Sequence, residues 1–504
     1  METKPLQTPD GKLTIAKEGK KMAVNYDIVI IGGGSGGLVV ASVAAQLNAK
    51  VALVEKDKLG GDCLWYGCVP SKSLIHAARV AYEIKQSSRF GIYTDAPKIN
   101  FEEATGYVQS VIEAIAPHDS PERFRGLGVE VIFGSGKFID RETFEVNGQQ
   151  LKARSFVVST GSRPAIPPVE GLKEAGFLTN EQVFSLQECP DSLIVIGAGP
   201  IGCELGQSFH RLGAKVTIIA SHDKIMPKED PEAAAVVEEQ LESEGIRILK
   251  NSRAKKVEII NGKKCLWAGP KEGEGEKIIA DEILVSAGRI PNVDSLNLEA
   301  AGVQYDQKGI KVSADLRTTN PRIFACGDII GGYQFTHVAG YEAVVAVTNA
   351  LFSPITRLFS TKANYRVIPW ATFTEPELAR VGLTEKQARN RYGDDVYVLK
   401  QPFAGVDRAQ AENATKGFGK IITRANGEIL GAHLVGSSAG ELIHEVVLAM
   451  ANKLPVKALT GIHIYPTLSE VNSKAGLLLN KQKFAQNEGL QNNLRKFFNF
   501  LRSL

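Results

Sequence analysis

In the segment GGDCLWYGCVPSK, residues 60–72, Cys63 and Cys68 lie five positions apart, with Pro70 and Lys72 close behind. Two thiols so spaced can form a structural disulfide, supply half of a metal site, or cycle between dithiol and disulfide during turnover. A disulfide framework does not suit six cysteines in 504 residues, because a chain of that length buries a core large enough to hold without covalent staples. A zinc site needs two further ligands at recognisable spacing. Cys189, Cys203, Cys265 and Cys326 are scattered singly, as small buried residues usually are. A redox pair fits the local sequence better. Pro70 suits the first turn of a helix, SKSLIHAARVAYEIK continues with helical character, and a helix N-terminus favours the thiolate that redox chemistry needs.

Such a pair needs an electron source, and the flanking elements point to one. Residues 27–55, DIVIIGGGSGGLVVASVAAQLNAKVALVE, read as strand, glycine turn, small-residue helix, strand and acid, the dinucleotide-binding order. Gly32 permits the tight turn, Gly34 lets a pyrophosphate approach the backbone, and Gly37 lets the helix pack close, its N-terminus facing the phosphates. Glu55 is placed to accept from an adenosine ribose. One such motif is a weak signal, but residues 193–220, LIVIGAGPIGCELGQSFHRLGAKVTIIA, repeat it with Gly197, Gly199 and Gly202. The offset from first glycine to second-strand end is 23 residues in both copies, Gly32 to Glu55 and Gly197 to Ala220. Two nucleotide sites follow. In the second, Ala220 replaces the acid that would repel a 2′-phosphate, and Ser221, His222 and Lys224 follow as phosphate partners, so NADPH is expected over NADH. Read without that context, SHDK is only a polar turn.

Composition narrows the remaining classes. A net charge of +3 without long basic blocks gives no electrostatic reason to expect nucleic acid. The first residues, METKPLQTPDGKLTIAKEGKK, have neither an apolar h-region nor an Arg/Ser-rich character, so a cytoplasmic protein is expected. Ile28 to Ala49 carries no charge over a length that could suggest a membrane span, but its glycines would break a helix. The length predicts about three domains.

Through these motifs together, the chain resembles the flavin-dependent pyridine nucleotide-disulfide oxidoreductases, from about residue 25 to 480. The redox loop carries the resemblance first. STGSRP (159–164, with Thr160 and Gly161) is similar to the segment returning toward the FAD, ILVSAGRIPN (283–292, with Gly288) to the exit from the NAD(P)H domain, and IFACGD (323–328) to the second flavin motif, in which Asp328 would meet the ribityl chain. PWATFTEPELARVGLTE (369–385) resembles the start of a dimerisation domain. The resemblance implies an α/β fold with two Rossmann-like domains and a C-terminal α+β dimerisation domain. Its expected segments are an N-terminal tail (1–24), the first FAD part (25–165), the NAD(P)H domain (166–295), the second FAD part (296–364), the dimerisation domain (365–480) and an amphipathic tail (481–504). It implies hydride passing from NAD(P)H to FAD and two electrons onward to the disulfide, with Cys68 against the flavin and Cys63 meeting substrate. Lys72 would lie near the flavin N5, paired with Glu204 of GCELG. A buried lysine-glutamate pair costs desolvation and rarely exists for stability alone.

The resemblance departs at the segment that serves the partner's thiols. Glutathione reductases and dihydrolipoamide dehydrogenases carry a motif like HPTxxE there; this chain has IHIYPTLSE (462–470), with Tyr465 in the histidine's place, Glu470 in register and His463 two residues upstream. TLSE also reads as a cap on the next helix. Tyrosine at this place is similar to mercuric reductases, but their second cysteine pair near the C-terminus is missing, since no cysteine follows Cys326. In LQNNLRKFFNFLRSL, Leu490, Leu494, Phe497, Phe498 and Leu501 fall on one helical face. Packing within the dimer is the expectation; a membrane-surface or quinone-side contact is the alternative. The sequence thus predicts a homodimeric FAD enzyme that reduces a small molecule or metal ion with NADPH, mercuric reductase-like, its active site completed by the partner subunit. A dihydrolipoyl dehydrogenase and a non-catalytic flavoprotein redox sensor are the alternatives.

Overall fold

The computed structural model describes residues 24–352 and 360–504; the expected N-terminal tail lies outside the described residues except for Val24. The apolar runs YDIVII and VALVE become neighbouring parallel strands, Tyr26–Ile31 and Val51–Glu55, because a strand covered on both faces has no polar face to alternate with: Ile28 and Ile30 face the helical side, and Val29 and Ile31 pack with Phe138 and Phe144 of the antiparallel strands Gly136–Phe138 and Thr143–Val146. Glu130–Phe133 lies outside Val51–Glu55, and Gln149–Val158 lies on the other side of Tyr26–Ile31. Ile323–Ala325 then returns from far along the chain to pair with Gln149–Val158, Phe324 opposite Val157. The uncharged run from Ile28 to Ala49 is split between the first strand, the glycine turn and the helix Ser35–Gln46. That helix buries Leu38, Val40, Ala41 and Ala44 against Ala343, Ala346 and Val347 of the helix Thr336–Phe352. Its small side chains permit the close approach.

The second glycine unit builds a sheet of the same design. Arg247–Leu249, Lys215–Ile219, Ser192–Ile196 and Glu282–Val285 run parallel in that order, and a three-stranded antiparallel sheet, Arg253–Ile260, Lys263–Gly269 and Glu276–Ala280, follows the third of them in sequence order. The helix Pro231–Glu244 begins with Asp230, whose side chain accepts from the Glu232 and Ala233 amides, and with proline at its first position.

The third unit is a five-stranded antiparallel sheet in the order Pro369–Thr372, Glu377–Gly382, Ile429–Gly436, Phe418–Thr423, Tyr397–Pro402. Ile429–Gly436 is buried along its whole length, with the helices His444–Ala451 and Glu470–Gln486 contributing Val446, Val471 and Ala475 to the same core. Buried charge ties this unit to the second. Arg211 lies 2.8 Å from Glu244 and 2.7 Å from Glu375 and stacks over Tyr82, and Lys420 lies 3.0 Å from Asp230. Removing one member of such a pair leaves an uncompensated buried charge, which typically costs about 3–5 kcal/mol. The three units are therefore held in fixed register around the space between them. Among the described residues no helix is long and apolar enough to cross a membrane.

Candidate active site

A cleft of about 2480 Å³ is lined by residues of all three units, and both glycine turns form part of its wall. Their geometry shows what each glycine does. At Gly32 (φ +103°) a Cβ would come within 2.5 Å of the Ser159 carbonyl, and at Gly37 within 1.9 Å of the Gly32 carbonyl; at Gly34 nothing lies nearer than 3.9 Å. The second turn repeats the pattern: 2.5 Å at Gly197 (φ +117°), 2.0 Å at Gly202 and nothing within 4 Å at Gly199. The outer glycines are demanded by the fold. The central ones leave the backbone open to the cleft, which is the fit a pyrophosphate requires. Ser159 Oγ donates to the Gly32 carbonyl (2.9 Å) and Ser286 Oγ to the Gly197 carbonyl (3.0 Å), a matched pair of locks that the glycine pattern does not reveal.

Around the first turn, Glu55 accepts from the amides of Gly33 (2.6 Å) and Asp57 (2.9 Å), so its carboxylate is already oriented at the rim of the cleft. Thr160 and Gly161 are bound to Asn292: Thr160 Oγ1 donates to the Asn292 carbonyl (3.0 Å) and the Asn292 amide donates to the Gly161 carbonyl (3.0 Å). This joins the return segment of the first unit to the exit segment of the second. Gly288 (φ +124°) accepts from the Ala165 amide at the same crossing. Asp328 accepts from Ser162 Oγ (2.5 Å) and lies 3.6 Å from Arg289, which also meets Asp62 at 3.3 Å. Burial nevertheless raises the Asp328 carboxyl above its usual range. An acceptor held beside the first glycine turn suits the hydroxyls of a nucleotide side chain.

The thiols lie between the two turns. Cys63 is in the short helix Gly61–Trp65, and Cys68 is the first residue of the helix Cys68–Lys85, with Pro70 in its first turn. Thr336, the first residue of Thr336–Phe352, places its Oγ1 3.4 Å from Cys68 Sγ, so two helix N-termini converge on this sulfur. The Cys68 thiol is held down at about 6, first by a hydrogen bond from Cys63, then by Thr336 and the charge of Lys72, with burial opposing. Cys63 is pushed up, by the same hydrogen bond and by burial. The two thiols, five residues apart, are thus pushed in opposite directions, Cys68 toward the thiolate and Cys63 toward the protonated thiol. Cys203, Cys265 and Cys326 are buried, and burial pushes the half-buried Cys189 up to about 11.

Lys72 Nζ lies 3.1 Å from Glu204 Oε2 and 4.5 Å above the Phe373 ring, and Glu204 Oε1 accepts from the Phe373 amide at 2.8 Å. The expected pair is present, with one difference from the buried pair expected: Glu204 is 6% exposed but Lys72 is 37% exposed, because the ammonium faces the open cleft. Ser221, His222 and Lys224 line the cleft beyond Ala220. Arg253, which no motif marks, lines it beside them, because the Asn251 and Ser252 amides donate to the carbonyls of His222 (2.8 Å) and Ala220 (2.9 Å).

Tyr465, His463 and Glu470 do not line this cleft. Glu470 does not orient Tyr465: the exposed Tyr465 hydroxyl donates to Asp407 (2.9 Å), which raises its pKa above the ordinary value. His463 Nε2 sits 3.4 Å from Glu445 Oε2, and Asn472 Nδ2 donates to the same oxygen at 3.0 Å. Glu470 keeps a buried Oε2 without a hydrogen-bond partner among the described residues. Nor is TLSE a cap, since Ser469 makes no side-chain bond to the following helix.

A thiol pair between two dinucleotide cradles defines a disulfide oxidoreductase that uses a flavin and a pyridine nucleotide. The chain matches the pyridine nucleotide-disulphide oxidoreductase family over residues 26–343 and that family's dimerisation domain over 368–475. It is 35% identical over 460 residues to a mercuric reductase of Staphylococcus aureus, covering 91% of this chain and 83% of that protein. It is 33% identical over 477 residues to a dihydrolipoyl dehydrogenase of Bacillus subtilis, covering 90% and 98%. Among solved structures, LpdA from Mycobacterium tuberculosis superposes with a TM-score of 0.81 at 28% identity, over 90% of this chain and 99% of that one. The Cu(II) complex of the HOCl-induced flavoprotein disulfide reductase RclA from Escherichia coli superposes at 0.79, also with 28% identity and the same coverage. The chain belongs to the pyridine nucleotide-disulfide oxidoreductase family and is an FAD-dependent enzyme of it.

Proposed function

We propose that this enzyme reduces a small acceptor, a metal ion, a quinone or a disulfide, with electrons from NADPH, and that it resembles the mercuric reductases more than the dihydrolipoyl dehydrogenases. In this reading segments 25–165 and 296–364 hold FAD, 166–295 holds the nicotinamide nucleotide, and 365–480 joins two copies of the chain, in the cytoplasm. Gly32, Gly34, Gly37, Glu55, Thr160, Gly161 and Asp328 hold FAD; Gly197, Gly199, Gly202 and Gly288, with Ser221, His222 and Lys224, hold NADPH. FAD, when bound, supplies the two-electron relay between a nicotinamide hydride and a disulfide.

The observation that carries the reading is the placement of the thiols: Cys63 and Cys68 line one cleft with Lys72 and both glycine turns, and Cys68 starts its helix with Thr336 Oγ1, the start of a second helix, 3.4 Å from its sulfur, which favours the thiolate at Cys68 and the proton at Cys63. Reduction of the Cys63–Cys68 disulfide breaks the S–S bond with two electrons and takes up one proton. The proton rests on Cys63, and Cys68 remains a thiolate, stabilised by two helix N-termini and by Lys72. Glu204 fixes the Lys72 ammonium toward the cleft. When an acceptor takes the two electrons, the S–S bond re-forms and the proton leaves Cys63. Tyr465 from a second copy of the chain can offer a hydrogen bond to an acceptor, but a phenol near or above 10 takes up a proton poorly at neutral pH. An acceptor that needs no base, such as an ion, suits this site.

A dihydrolipoyl dehydrogenase is the second reading, and the 33% identity over 98% of the Bacillus subtilis dihydrolipoyl dehydrogenase favours it; His463, with Nε2 at Glu445 and Nδ1 2.8 Å from the Gly461 carbonyl, would have to release one of these partners to serve as its base. Steady-state NADPH oxidation with mercuric ion, a quinone and a disulfide as separate acceptors tests the proposal. Acceptor-dependent turnover is expected, falling to background with mercuric ion in Cys63→Ser. Turnover with none of these acceptors would leave dithiol oxidation or a sensor role in its place.

A further inference from the structure

The helix Glu488–Leu501 has no buried residue, although it carries the largest concentration of exposed aromatic side chains in the described structure: Phe497, Phe498 and Phe500 are each more than half exposed, and Leu490 and Leu501 are 44% and 47% exposed. Phe497 and Phe498 touch edge to face, their centroids 5.6 Å apart. At 3.6 residues per turn, Leu490, Leu494, Phe497, Phe498, Phe500 and Leu501 fall within an arc of roughly 160°. Arg495 and Arg502 border one side of that arc and Lys496 the other, and no acid follows Glu488 in the sequence.

Two occupants could cover such a face. A second copy of the chain would need an apolar patch but no excess of cations along its border. The family's dimerisation domain, moreover, is matched only to residue 475, before this helix begins. A bilayer of anionic lipids needs both features: aromatic side chains at the headgroup boundary and cations beside them to meet the phosphates. Long basic side chains bordering an apolar face place their stems in the apolar layer and their charges in the headgroups. We propose that Glu488–Leu501 lies on anionic membrane surfaces and holds the enzyme there as a peripheral protein. This departs from the dimer packing expected from sequence, and the bordering cations are the reason. One short helix binds weakly, but a dimer presents two, and the second contact then forms at high effective concentration.

Flotation of the full-length, FAD-loaded enzyme with vesicles tests this, using phosphatidylcholine alone and phosphatidylcholine mixed with phosphatidylglycerol. Flotation with the mixed vesicles, and at least about tenfold weaker partitioning to phosphatidylcholine alone or in high salt, is expected. The double variant Phe497→Ser/Phe498→Ser should lose flotation with sedimentation and NADPH oxidation unchanged. Arg495→Gln/Arg502→Gln, which leaves the apolar face intact, should weaken binding to the mixed vesicles by about tenfold. A parent enzyme that ignores both vesicle types would overturn the proposal. So would a phenylalanine double variant that sediments as a monomer while the parent does not float, since that assigns the face to a second copy.

Discussion

Replacing Cys63 by alanine removes the largest of the interactions that hold Cys68 as a thiolate. In the parent, the Cys68 thiol is brought from 9.0 to about 6 by the hydrogen bond from Cys63, by Thr336 and by Lys72, against the opposing effect of burial. A hydrogen bond to a charged acceptor is worth about 1.5–3 kcal/mol, and one pKa unit corresponds to about 1.36 kcal/mol. Cys68 is open to solvent on its cleft side, so the lower end applies, and the expected rise in Cys63→Ala is about one unit. Cys63→Ser keeps a donor and should stay near the parent. The assay is the pH dependence of iodoacetamide alkylation of the reduced enzyme, followed on the Cys68 peptide. The thiolate population should rise through about 6 in the parent and Cys63→Ser, and through about 7 in Cys63→Ala. A parent midpoint near 9, or the same midpoint in parent and Cys63→Ala, refutes the assignment of Cys68 as the charged thiol.

Four further outcomes are expected. Ala220→Glu should move preference from NADPH toward NADH, and Arg253→Ala should lower 2′-phosphate discrimination, each by about tenfold or more if one charged contact is involved; equal use of both nucleotides by the parent counts against both. Tyr465→His should gain dihydrolipoamide activity of the order of 10² or more, whereas brisk parent activity that disappears in His463→Ala would move the base to His463. Glu342 is buried, accepts from the Gly327 amide (2.7 Å) and Tyr365 (2.8 Å), and is raised by burial to about 7. Because the native state holds that proton more tightly than the unfolded chain, the stability it contributes is full below about 4.5 and is lost as pH rises through about 7. Denaturation of Glu342→Gln across that window should show a flatter profile; a dependence like the parent's would place the titration elsewhere.

The parts of the site that were legible in the sequence share one property: their geometry is local. A tight turn, a backbone that must face a pyrophosphate and a helix packed close to its strand fall within six residues, so Gly32, Gly34 and Gly37 announce themselves, and a second copy at Gly197 confirms the pattern. The Cys63–Cys68 loop is local for the same reason, since the helix that stabilises the thiolate begins at the thiol. Lys72 and Glu204 were linked only through the family resemblance, because no spacing connects residues that far apart. What the sequence left out depends on the folded chain bringing distant segments together. Thr336 reaches Cys68 from the start of another helix, Arg253 reaches the Ala220 wall through two backbone hydrogen bonds, and Ser159 and Ser286 lock the glycine turns from separate strands. Asp407 takes the Tyr465 hydroxyl that the motif assigns to the neighbourhood of Glu470. Each is a single polar residue at the end of a strand or the start of a helix; even where its segment was singled out, as with Ser159 and Ser286, nothing in the neighbours' periodicity marks the distant contact it makes.

In the proposed reaction, NADPH electrons reach Cys63 and Cys68. Anaerobic incubation of the oxidised enzyme with NADPH, followed by alkylation and peptide mass spectrometry, tests it directly. Cys63 and Cys68 should take up label only after NADPH, while Cys189, Cys203, Cys265 and Cys326 stay unlabelled in the folded protein with or without it. Full bleaching of the flavin with the Cys63–Cys68 disulfide still intact would contradict it.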